Sequence, residues 1–128
     1  MKEIRVCAAR FRAMAQAELA AIPLQVRALL VNVTIEVRDK PGPEAEAMDE
    51  EEEDLLGLYC GPERADFLSG AASGQLPAKV YLYQRNLEDS VGSLSQLRKE
   101  IRLTLRHELA HHFGFDDDEL ERVWPEGA

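Results

Sequence analysis

Cysteine is scarce in this chain: Cys7 and Cys60 are the only two among 128 residues, and neither has a second cysteine close by as in C-x-x-C. They make no disulfide framework, and both read as free thiols of a reducing compartment. Positive charge is also short. Fifteen Lys and Arg face 24 Asp and Glu, a formal net charge of -9. That balance argues against a nucleic-acid partner, because neutralising phosphates takes clustered basic residues. Uncharged apolar runs of membrane-spanning length are absent, the best candidate being interrupted by Arg27. Met1 to Arg12 interleaves Arg with apolar residues and has no apolar centre, unlike a signal peptide. No repeat occurs, and Pro62 to Pro77, despite Gly70 and Gly74, carries no phosphate-binding signature and reads as a connector. The expectation is one soluble, cytoplasmic domain over residues 1–128, with no membrane and no nucleic acid among its partners.

What is present is ordinary globular composition, 45% hydrophobic and only 6% aromatic, with a core of Leu, Val and Ala. Ala8 to Ala21 places Phe11, Met14, Ala15 and Leu19 at helical spacing, and Pro23 opens a short second helix through Leu30. Val31 to Arg38 alternates apolar and polar residues with the period of a half-buried strand. Lys40-Pro41-Gly42-Pro43 ends it, and the acidic run Glu44 to Asp54 reads as a long solvated loop. Leu55 to Cys60 is a candidate second strand, and Ala78 to Arg85 a third, with Val80 and Leu82 on one face and Tyr81 and Tyr83 exposed on the other. Ser93, with Gln96 three residues on, forms a capping box for a last helix. Leu94, Leu97, Ile101, Leu105 and Leu109 are its core stripe. The pattern is α+β.

The chemistry sits on that last helix, in His107-Glu108-Leu109-Ala110-His111. Residues four apart lie one turn apart on the same face, so His107 and His111 can offer two imidazoles to one metal ion. Glu108 points elsewhere and can serve as base to a water that the metal activates. Gly114 suits a helix C-terminus, where the backbone turns left-handed and the chain folds back. Asp116, Asp117 and Asp118 follow, any of which could complete a set of two imidazoles and one carboxylate, the donors of a catalytic zinc site. His112 falls inside the apolar stripe and reads as a buried, hydrogen-bonded core histidine.

The run His107-Glu108-x-x-His111-x-x-Gly114-x-x-Asp117 resembles the zincin metallopeptidases, with Asp where the metzincin type carries a third His. Leu56-Gly57-Leu58-Tyr59-x-Gly61 and Pro77-x-x-x-Tyr81-Leu82-Tyr83 narrow this to the small bacterial zincin-like proteins. The resemblance implies a minimal zincin fold: a small mixed sheet, an N-terminal helix and an active-site helix packed beneath. It also implies one zinc per chain held by His107, His111 and Asp117, with Glu108 as catalytic base in peptide-bond hydrolysis. A peptide or protein substrate would pair with an edge strand, for which Lys79 to Gln84 is the candidate. Every Met precedes the motif, so no Met-turn lies below the site, and eleven residues follow Asp117. The far wall of a cleft then falls to a partner subunit, in a homo-oligomer. Two alternatives stand beside the hydrolase. One is a non-catalytic metal-binding interaction module on the same scaffold. The other is a metal-dependent endoribonuclease of similar spacing, which the acidic surface disfavours.

Overall fold

Alternation along Val33–Arg38 gives the first strand (β1), parallel to a strand at Ala78–Tyr83, which pairs on its other side, antiparallel, with Gly57–Cys60. In chain order these are β1, β2 (Gly57–Cys60) and β3 (Ala78–Tyr83), and the spatial order is β1-β3-β2. The computed structural model describes residues 3–72, 74 and 76–127. The helices are α1 (Ala8–Ala20), α2 (Leu24–Arg27), α3 (Pro43–Ala47), α4 (Arg64–Ser69), α5 (Gln84–Asp89), α6 (Leu94–Phe113) and α7 (Asp117–Val123). A mixed three-stranded sheet with α1 and the motif helix α6 is the α+β architecture expected from the sequence.

The expected stripe on α6 supplies the core. Leu97, Ile101, Leu105 and Leu109 are buried with Phe11 of α1 and with Val80 and Leu82 from one face of β3. Burying a side chain of this size stabilises by roughly 1.5–3 kcal/mol, so this helix–sheet layer supplies much of the driving force for folding. Leu94, at the first turn, is only half-buried.

Five expectations change. Tyr81 and Tyr83 are buried, not exposed, because α3 covers their side of the sheet and packs Ala45 against both rings and Leu58. The two rings stack with centroids 6.4 Å apart, and Tyr83 donates a hydrogen bond to Glu44 Oε1 at 3.2 Å. The acidic run is therefore not simply a solvated loop. Nor is Pro62 to Pro77 a plain connector, since it holds α4, which opens on a reciprocal capping box between Glu63 and Asp66. The third strand stops at Tyr83, and α5 begins at Gln84 with no Gly or Pro between them. Finally, β3 is the central strand with both edges paired, so Lys79 to Gln84 has no free edge for a substrate. The outer edge of β2 has no neighbour in the sheet among the described residues. Among the described residues, no helix is long and apolar enough to cross a membrane.

Candidate metallopeptidase site

Both ends of α6 are set by local chemistry. Ser93 Oγ accepts a hydrogen bond from the Gln96 amide at 3.1 Å, while Gln96 Oε1 reaches back to the Gly92 amide at 2.7 Å. The return bond thus lands one residue earlier than in the expected capping box. At the other end Gly114 has φ 74°, and the Gly114 and Phe115 amides bond to the His111 and Ala110 carbonyls. That is a Schellman turn, and only glycine adopts its left-handed backbone without strain. The chain reverses there, and Asp116 caps α7 by accepting from the Glu119 amide at 2.8 Å.

On the last turns of α6, His107 and His111 stand side by side, ring centroids 5.5 Å apart and nearly perpendicular. Both are exposed, the His107 side chain to 72%. Glu108 between them is only 8% exposed, with a carboxylate oxygen 3.8 Å from His107 Nε2. Burial raises its carboxyl above the usual range, His107, His111 and the Tyr59 amide oppose that, and Glu50 adds to it. A carboxylate held above its ordinary pKa is a better proton acceptor near neutral pH. The three side chains line a cleft of about 320 Å³ together with Gly57, Leu58 and Tyr59 of β2 and with Met48 and Glu50.

Gly57 is where strand and helix meet. A Cβ there would lie 2.6 Å from the Thr104 methyl, 2.9 Å from the Tyr81 carbonyl oxygen and 3.4 Å from Glu108 Cγ. The absent side chain lets β2 lie directly on α6, beside the carboxylate. Gly57→Ala is expected to cost about 1–3 kcal/mol, as overpacking does. Thermal unfolding checks this, and an unchanged melting temperature would show that the approach has slack.

His112, fully buried, locks the same corner. Its Nε2 accepts from the Val31 amide at 3.1 Å, so the neutral ring carries its proton on Nδ1 and donates to Tyr59 Oη at 2.9 Å. Tyr59 in turn donates to the Pro62 carbonyl. Burial and the nearby Asp66 and Glu63 carboxylates push the Tyr59 hydroxyl up to about 12, which keeps it a donor. Burial, then Arg64, pushes His112 down to about 4. The unfolded chain takes up this proton near pH 6.5 and the folded chain only near 4, so stability is full above 6.5 and falls as pH drops through that window. The metal-free protein should lose about 2–3 kcal/mol over this interval from His112 alone. In His112→Gln the slope should flatten, and denaturant titrations from pH 7 to 4 measure it.

His107 and His111 fit two of the ligands of zinc: imidazoles one turn apart, opening into a cleft beside a carboxylate. Asp117 is exposed in the first turn of α7. Among the described residues, no three His, Cys, Asp or Glu side chains are already gathered as a set that could hold a metal ion. The structure thus brings His107, Glu108 and His111 together and leaves Asp117 outside that group. Three contributors escaped sequence reasoning: Met48, Glu50 and the Tyr59–His112 lock. The steric role of Gly57 had a signal, since a glycine inside an apolar strand marks a close backbone approach.

A small mixed sheet laid on a long helix that carries both imidazoles and the carboxylate is the zincin arrangement. The zincin-like metallopeptidase family matches residues 30–125, well over half of the chain, and the chain belongs to that family. Comparison with curated proteins returns no match.

Proposed function

We propose that the protein is a zinc-dependent metallopeptidase in which His107, His111 and Asp117 hold the metal and Glu108 is the general base. The observation that carries this reading is the burial of Glu108 between two exposed imidazoles at the head of a cleft. When bound, zinc supplies Lewis acidity toward water and the peptide carbonyl. Glu108 takes a proton from the attacking water and returns it to the departing amine. The segment to be cut lies extended along the free outer edge of β2, pairing through backbone amides and carbonyls as an added strand. Asp117 makes no side-chain hydrogen bond or ion pair among the described residues, which leaves its carboxylate uncommitted. No Lys or Arg among the described residues lines the cleft, which supports peptide over ribonucleotide as the substrate. The test is cleavage of an unstructured protein by the chain at full zinc occupancy. No cleavage under that condition overturns the proposal and leaves a metal-binding interaction module.

A further inference from the structure

The acidic segment between β1 and β2 is fastened into the cleft wall. Its first turn, α3, is anchored by the buried Ala45 and by the bond from Tyr83 to Glu44. Asp49 then takes a left-handed φ of 57°, and the Glu50 amide bonds back to the Ala45 carbonyl at 2.9 Å. At the far end the buried Asn86 donates to the carbonyls of Glu53 and Leu55, both at 2.8 Å. These anchors set Met48 and Glu50 on the wall of the cleft.

Among the described residues, three carboxylates line that cleft. Glu108 is buried among the histidines, and Glu63 is engaged with Asp66 in the cap of α4. Glu50 is exposed, and its carboxylate has no hydrogen bond or ion pair among the described residues. Beside it the thioether of Met48, 48% exposed, and the half-buried Leu55 offer an apolar shelf. An adjoining hollow of about 380 Å³ shares Leu55, Gly57, His107 and Glu108 with the cleft and adds Glu52, Asp54 and Glu100. No Lys or Arg among the described residues lines either hollow. A chain passing Glu108 therefore runs between acidic walls, where a negative side chain is repelled and a positive one attracted.

Resting on the peptidase reading of this cleft, we infer that Glu50 and Met48 select substrates carrying a Lys or Arg side chain close to the scissile bond. The methylene stem lies on Met48 and Leu55, and the cation reaches the Glu50 carboxylate. The acidic segment is then the far cleft wall, supplied by this chain itself.

The test measures binding without turnover. Fluorescence anisotropy of the zinc-loaded Glu108→Gln protein is compared for two labelled peptides that differ only in Lys or Glu at one central position. The Lys peptide is expected to bind roughly fivefold tighter at low salt, the upper range for one exposed ion pair. The difference should shrink by physiological ionic strength, as screening requires. Glu50→Lys in the same background should reverse the order, while Glu18→Lys on α1, an equal change in net charge, should leave it in place. Equal affinity for both peptides overturns the inference alone, as does a preference that Glu50→Lys leaves unchanged or that Glu18→Lys alters equally. Binding of neither peptide overturns the cleft reading as well.

Discussion

Glu108→Gln is expected to lower the rate of peptide hydrolysis about a hundredfold or more, the usual reach of a general base, with zinc content at the wild-type level. Gln has nearly the shape of Glu but takes up no proton at neutral pH. Glu108 sits against Gly57 with its Cγ 3.4 Å from where a Cβ would stand, so an isosteric change leaves the seam between β2 and α6 intact. It also removes a buried carboxyl whose charged form burial disfavours, so the variant should be at least as stable as wild type. Hydrolysis rate, zinc content and melting temperature on the same preparations make the test. A variant that matches wild type in rate removes Glu108 as base, whatever the fold.

That this experiment can be framed from sequence follows from how local its determinants are. The motif lies within one helix, and both ends of that helix are set by neighbours a few residues away: Ser93 with Gln96, and Gly114 with its left-handed turn. The burial of His112 follows from its place in the stripe of Leu105 and Leu109, which helical periodicity reveals. The strand Val33–Arg38 showed itself by alternation for the same reason. What stayed hidden depends on residues far apart in the chain. Pairing of Val33 with Ala78 makes β3 the centre of the sheet, and nothing within Ala78–Tyr83 announces it. Tyr81 and Tyr83 alternate away from Val80 and Leu82 as a solvent-facing pair does, and Ala45 of α3 packs on that face with Leu58 to make it interior. The short helix α4 was legible in principle through Glu63 and Asp66, a cap pattern without the apolar run that normally accompanies it. The acidic wall was not, since its placement rests on Asn86 and Tyr83, more than thirty residues downstream.

The proposed third ligand, Asp117, can be separated from its neighbour Asp116 because the two aspartates hold different positions at the same helix start. Asp116 is the N-cap of α7: its Oδ1 takes the Glu119 amide at 2.8 Å, and Glu119 reaches back to the Asp116 amide. Losing such a cap costs about 1 kcal/mol. Asp116→Ala should therefore lower stability by that amount and keep its zinc. Asp117, one residue on, has no such commitment, and Asp117→Ala should fold as well as wild type yet lose most of its zinc affinity, because two imidazoles alone leave a tetrahedral ion short of protein ligands. His107→Ala and His111→Ala should empty the site outright. Glu63 is the rival donor, since it lines the cleft with both imidazoles. Glu63→Gln should leave zinc in place if Asp117 is the ligand. Native mass spectrometry of the five variants reads zinc occupancy, and denaturant unfolding of the metal-free forms reads the cap. Zinc retained in Asp117→Ala and lost in Glu63→Gln would move the third ligand to Glu63 at the start of α4 and return Asp117 to the role of an ordinary first-turn acid on α7.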